Sequence, residues 1–471
     1  MPAYAQLFTW FVSAHCICCL GVGCRSLNAA SSSGSTSAVP SDSSIDAVER
    51  DDVASSAEAR SKTQMRIDRL SQRVSGIRGL RILNGVVGKS IDRETLLRQL
   101  GVQVRSQVPD EAVMGESAFL KSFGFIPGDF DYLAQTLRLM ESQLAGYYDP
   151  DQKTLFLVSD VGVNAEDSVI AHEVVHAITD QHFDIGSRIK YRRDASDSLG
   201  AYHALIEGDA TSAMLDFSFG VFGMKAYDIA DNTLRSVMES GTLSDVNIRS
   251  IPRIMRESLV SSYTDGVLFV HALRRRGGWA EVDRAYQDPP STTEQLLHID
   301  KYYAREMAEV IPSLADPAGE GWVRIHGDVY GEQGVRIAFE EWMSRVDAAK
   351  AAAGWAGDRA GVWNNSSLGL TVAAWLIRFD WSGSDGSGEA REAFNLASGA
   401  WGRSSLAKRS GSRSLCRKIG KDKFAFIETR AREVVLTSGA APSVEGDGLQ
   451  ASAAKCSWME AWASAILSNS L

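Results

Sequence analysis

The sequence predicts an α+β protein, mainly helical. From residue 62 to about 348, apolar side chains recur at helical spacing in one segment after another, whereas period-two or β-branched runs are few. The clearest strand signals are "TLFLV" at 154–158 and, far downstream, "AFIETR" and "EVVLTS". With 471 residues and 44% hydrophobic content, the chain can form one large domain or two to three smaller ones. A formal charge of -10 provides no basic field for nucleic acid, so a nucleic-acid partner is not expected.

The first 23 residues carry no Asp, Glu, Lys or Arg and hold an apolar run too short for a comfortable membrane span. They read as an export signal over 1–24. "LGVGC", ending at Cys24, resembles a bacterial lipoprotein box, which would place a lipid anchor on that cysteine and the protein in the cell envelope, or secreted or periplasmic if no lipid is added. Residues 25–61 are rich in Ser, Ala and Asp with little apolar bulk, and read as a disordered tether. Order is expected from Lys62, where Ile67, Leu70, Val74 and Ile77 recur at helical spacing. An N-terminal helical region then spans 62–143, closing with "YLAQTLRLMESQL".

"AGYYDPDQKTLFLVSD" follows, with an Asp-Pro turn ahead of the β run, and predicts a hairpin or edge strand. Helices are expected at about 167–181, 195–217, 228–243, 253–275, 292–310 and 328–348. These elements make up a region over 144–350, and a small β-containing tail covers 351–471. "RRRGGW" at 274–279 reads as a basic helix end with a Gly stop, and "GWAGDR" at 354–359 as tryptophan packing. "GVVGKS" at 85–90 lacks the spacing of a phosphate-binding loop. Cys416 and Cys456 either pair or stay as buried thiols.

The stretch "IAHEVVHAITDQHFD" carries the chemistry. On an α-helix, residues four apart lie about 40° apart in projection, so His172 and His176 present two imidazoles to one point. Glu173 sits beside that face, placed to take a proton from a water activated by a metal. Small and aliphatic neighbours (Ile170, Ala171, Val174, Val175, Ala177, Ile178) suit a buried helix.

A catalytic zinc site needs a third protein ligand. Glu207, in "GAYHALIEGDATSAML", is the favoured residue, because an acid among small and apolar residues requires a partner. His182 is the alternative, ten residues after His172, although Thr179 stands where that spacing calls for a glycine. Asp209 lies round the helix from Glu207 and reads as a supporting or capping group. His203, one turn before Glu207, faces the same way. Tyr147, Tyr148, His203 and His298 are the candidates for stabilising a developing oxyanion.

These residues resemble the gluzincin group of zinc metallopeptidases. Together with "AGYYDP", "ALIEGDAT", "RRRGGWAEVDRAYQDPPSTTEQLLH" and "GWAGDR", they also resemble mostly uncharacterised bacterial proteins predicted to be exported zinc peptidases or lipoproteins. The resemblance implies a zincin-like core, one zinc ion on His172, His176 and Glu207, Glu173 as general base, and a peptide or protein substrate. The alternative is a non-catalytic envelope lipoprotein that keeps such a scaffold for binding.

Overall fold

A computed structural model describes the backbone of residues 45–470, apart from 144, 160–165, 244–250, 385, 403–406, 412, 421–422, 441 and 443–447. The expected signal over 1–24 lies outside the described residues. The protein is α+β and 57% helical, with sixteen helices and two sheets among the described residues.

The first half builds a small sheet with helices on both faces. A long helix α1 (Ile45–Arg78) leads into β1 (Val87–Ile91), then α2 (Arg93–Gln107), α3 (Asp110–Phe123) and α4 (Tyr132–Gln143). The start of α2 is fixed by Asp92, whose carboxylate accepts the Thr95 N–H. The hairpin β2 (Gly146–Asp149) and β3 (Thr154–Val158) follows, then α5 (Glu166–Phe183), the short α6 (Ile185–Arg188) and α7 (Ser196–Phe219). The strand order is β1-β3-β2, with β1 parallel to β3 and β2 antiparallel to it. Because side chains alternate along a strand, Tyr148 and Leu155 join Ile67, Leu70, Val74, Ile170, Val174 and Ile178 beneath α1 and α5, while Tyr147 and Phe156 face the core on the α2 side.

Next come α8 (Asp231–Leu243), α9 (Arg253–Gly277), α10 (Trp279–Gln287), α11 (Thr293–Leu297) and α12 (Ile299–Ala304). The remainder comprises β4 (Val323–Asp328), α13 (Gly331–Phe339), α14 (Arg345–Ala352), β5 (Trp355–Asn365), β6 (Leu370–Phe379), α15 (Gly388–Gly402), β7 (Ala407–Gly411), β8 (Ser414–Lys418), β9 (Lys423–Arg430), β10 (Glu433–Ala440) and α16 (Gly448–Asn469). These strands form one antiparallel sheet in the order β4-β5-β6-β10-β9-β8-β7. Helix α16 seals one face through Met459, Trp462 and Ile466 against Trp363, Leu376, Phe426 and Val435. A disulfide between Cys416 on β8 and Cys456 on α16, with Cα atoms 5.9 Å apart, fastens that helix to the sheet.

Several expectations are corrected. The segment Thr154–Val158 is not an edge: β3 is the central strand, because β1 arrives from more than sixty residues upstream and pairs with it in parallel. The boundaries at 143 and 350 cut through sheets, since β1 belongs with β3 and β4 belongs with β5. Helix α1 begins at Ile45, inside the expected tether, in a stretch supplied with Ala, Glu and Arg. The helices expected at 292–310 and 328–348 are each broken into shorter pieces, and the expected small β-containing tail supplies six strands of a seven-stranded sheet. "GWAGDR" opens β5 with Trp355 packed in the core as expected, and Asp358 accepts from the indoles of Trp355 and Trp375 and from the Tyr330 and Gly331 N–H groups. The basic end of α9 does more than answer the helix dipole, for Arg274 is buried and donates to Ser212 and Asp216.

Candidate metal centre

Helix α5 is buried from Val169 to Asp180, where small and aliphatic residues surround the polar ones, and Ile170, Ala171, Val174, Val175, Ala177 and Ile178 all have 1% exposure or less. The helical repeat then places His172 and His176 on one side, ring centroids 4.7 Å apart and nearly perpendicular. Glu207 comes from α7 to meet them. Its Oε2 lies 3.2 Å from His172 Nε2, and its Oε1 lies 3.7 Å from His176 Nε2. One potential ligand atom from each of the three residues lies within 4.8 Å of the others.

A backbone contact between helices brings a fourth residue to this point. At Gly208 an added Cβ would lie 2.1 Å from the Gly266 carbonyl oxygen, and at Gly266 it would lie 2.0 Å from the Ala204 oxygen. Only glycine lets α7 and α9 approach so closely. Gly208 follows Glu207 directly, and Tyr263 is one turn before Gly266, so the crossing delivers the Tyr263 hydroxyl to the Glu207 carboxyl, to which it donates. The Tyr263 ring centroid is 6.3 Å from that of His172.

Glu173 turns towards the small sheet. Its Oε2 accepts the Tyr148 N–H at 2.7 Å. In β2, Tyr147 pairs with Phe156 and the Val158 N–H reaches the Ala145 oxygen, so the peptide groups of Gly146 and Tyr148 point away from β3, on the side of β2 that pairs with no strand among the described residues. The Tyr148 hydroxyl donates to Asp180 Oδ2 at 2.8 Å, two turns along α5 from His172, and Lys153 Nζ reaches the same oxygen at 2.6 Å. One tyrosine thereby holds the Glu173 carboxylate with its backbone and clamps strand to helix with its side chain.

The chain was compared with protein-family models, with curated proteins and with solved structures. It matches none of them. The site therefore stands on its own geometry.

Of the two proposed third ligands, the structure brings Glu207 to the histidines and sends His182 elsewhere. His182 Nε2 sits 2.7 Å from the Arg81 carbonyl, at the surface end of α5. Asp209 accepts from Arg78 at 2.6 Å, from the Tyr286 hydroxyl at 3.0 Å and from the Thr179 hydroxyl at 3.4 Å, tying α1, α10 and the histidine-bearing α5 to α7. His203 Nε2 is 3.2 Å from Glu207 Oε1, within the cluster's reach. Tyr148 is spent on Asp180, and His298 pairs with Glu332 at 2.9 Å, so neither hydroxyl nor imidazole joins the group. Tyr263 was missed in the sequence because "SLVSSYTDGVLF" reads as an ordinary core face, and only the glycine pair Gly208 and Gly266 hinted at a close crossing.

The donor set fits a divalent cation. His172, Glu173, His176, His203 and Glu207 are each 1% exposed or less. Both ring nitrogens of His176 and Glu207 Oε1 lack a hydrogen-bond partner, a costly arrangement for polar atoms at such depth. Burial, reinforced by His203, pushes the His176 imidazolium down to about 3, which leaves a neutral ring with a lone pair to donate. Burial and the neighbouring Glu173 push the Glu207 carboxyl well above its usual range, the signature of a carboxylate lacking a counter-charge. Two neutral imidazoles and one carboxylate match zinc or a similar metal. A second acidic group, Glu294, Glu306 and Asp380, does not fit a cation site, since Lys301 Nζ lies 2.6 to 2.7 Å from all three.

Proposed function

We propose that the protein is a zinc-dependent endopeptidase with a zincin-like core, of the gluzincin kind its motifs resemble. The observation that carries the reading is the meeting of His172, His176 and Glu207 from two helices, with Glu173 held between them and the outward edge of β2. His172, His176 and Glu207 would hold the zinc, which would supply Lewis-acid polarisation of a carbonyl and lower the pKa of water.

The remaining work falls to the chain. A peptide lies along the outward edge of β2, the strand that replaces Thr154–Val158 as the pairing surface. Glu173, oriented by the Tyr148 N–H, takes a proton from the attacking water and passes it to the leaving amine. His203 stands beside Glu207 as the donor to the developing oxyanion, and Tyr263 fixes the Glu207 carboxylate. An export signal over 1–24, with Cys24 as the lipid-bearing residue, would put this activity at the cell envelope.

Glu173→Gln tests the assignment. The variant is expected to bind zinc as the parent does and to lose hydrolysis of a peptide library by about 10²-fold or more. Parent-like turnover in that variant would remove Glu173 from the chemistry. Zinc binding without hydrolysis in the parent itself would point to the non-catalytic scaffold instead.

A further inference from the structure

On the opposite face of β2 from α5 lies a groove of about 530 Å³ between α2 and the β2–β3 turn, lined by Gln99, Gln103, Gln107, Tyr147, Asp149 and Gln152 among others. Two of its polar atoms have no partner. The Tyr147 hydroxyl is buried and unbonded, on a residue only 4% exposed, and its ring is held flat against Phe156 with centroids 4.9 Å apart. Burial and the nearby Asp149 push that phenol above its usual range, so it remains a donor. Gln107 Nε2 donates to Asp151 at 3.2 Å, which leaves Gln107 Oε1 as a buried acceptor with nothing to accept from.

The charged side chains around the groove, Asp149, Asp151 and Arg98, already have hydrogen-bond partners. Asp149 accepts from the backbone N–H groups of Asp151 and Gln152 and from the Gln152 amide at 2.7 Å. Arg98, at the rim, donates to Glu94 and Thr95. Among the buried side-chain atoms of this glutamine-rich lining, one donor and one acceptor are left unpaired, a combination that suits a group carrying both a C=O and an N–H₂.

We propose that this groove is a substrate subsite that selects an uncharged carboxamide side chain, that of Gln or Asn, in a bound peptide. The inference rests on the peptidase reading for its position. Tyr147 is the neighbour of Tyr148, whose N–H holds Glu173, and adjacent Cα atoms are about 3.8 Å apart. A peptide paired on the β2 edge sends alternate side chains to the α2 side, where the groove opens. The amide accepts from the Tyr147 hydroxyl and donates to Gln107 Oε1. An apolar side chain of equal length leaves both buried atoms unpaired, and a carboxylate can answer only the first.

The experiment is calorimetric binding of capped pentapeptides, alanine except for a central Gln, Met or Glu, to the full chain carrying Glu173→Gln so that no peptide is cleaved. It is run on zinc-loaded and on metal-stripped protein. The ratio of affinities is the readout, and it is defined with or without metal. The Gln peptide is expected to bind about tenfold or more tightly than the Met and Glu peptides. Tyr147→Phe and, separately, the half-exposed Gln107→Leu are each expected to bring that ratio towards one while leaving Met-peptide binding in place. Equal affinities for the three peptides, a preference that survives both substitutions, or no peptide binding at all would overturn the subsite. Failure of the peptidase reading shows separately, as a parent that binds no zinc or hydrolyses nothing while the Gln preference persists.

Discussion

Gly266→Ala puts the helix crossing to the test. The new Cβ would lie 2.0 Å from the Ala204 carbonyl oxygen and 2.9 Å from its carbon, both backbone atoms that no rotamer change can move. To reach ordinary contact at 3.4 Å, α9 must retreat from α7 by about 1.4 Å. Overpacking of this kind costs about 1–3 kcal/mol. The usual effect of the same change in a helix interior is the opposite, a gain of about 1 kcal/mol. Gly399, exposed on α15 with no atom within 4 Å of its Cβ position, supplies that comparison. The assay is urea unfolding of both variants, with zinc affinity measured on each. Gly266→Ala is expected to lower the midpoint and to weaken zinc binding about tenfold or more, since Tyr263 and Glu207 flank the contact. Gly399→Ala should raise the midpoint and leave zinc binding alone. A rise in midpoint for Gly266→Ala, matching that of Gly399→Ala, would refute the close crossing and with it the placement of Tyr263.

Three further outcomes follow from particular contacts. Tyr263→Phe removes the hydroxyl from Glu207 and is expected to weaken zinc binding about 10- to 100-fold with little change in unfolding midpoint, as read by competition with a chelator. Cys456→Ser opens a disulfide spanning 40 residues, for which chain entropy gives a loss of roughly 4 kcal/mol at most, so the unfolding midpoint should drop and the parent should respond to reductant in the same direction. Asp197 is buried, and burial pushes its carboxyl up to about 7 against the two hydrogen bonds from Thr293. Between about pH 4 and 7 the folded chain keeps a proton that the unfolded chain has lost, so this group makes stability fall as pH rises. Asp197→Asn should therefore flatten the decline, measured as unfolding free energy against pH, and an unchanged slope would remove Asp197 as its source.

The parts of the site that lie within one element were readable in advance. His172, Glu173 and His176 share a helix whose repeat fixes their directions, and the apolar residues between them fix its burial. Glu207 was legible for a related reason, as a carboxylate embedded in "ALIEGDAT", where burial without a partner is costly. Whatever depends on long-range pairing was not. The central place of β3 follows from β1, whose sequence, VGKSI, shows no strand alternation and whose side chains are mostly exposed. Asp209 resembled Glu207 in its surroundings, yet it answers Arg78, 131 residues earlier in the chain. The full seven-stranded sheet was not legible because β5, WAGDRAGVWNN, mixes Gly, Asp, Arg and Asn like a loop, and β6, LTVAAWLIRF, is an apolar run without period-two alternation.

The most direct test of the central claim is zinc content per chain, by elemental analysis of the folded parent and of His176→Ala, Glu207→Ala and His182→Ala. About one zinc in the parent and in His182→Ala, with loss in the other two, is the predicted result. A folded parent that takes up no zinc after reconstitution, or a site that survives Glu207→Ala and fails with His182→Ala, would contradict it.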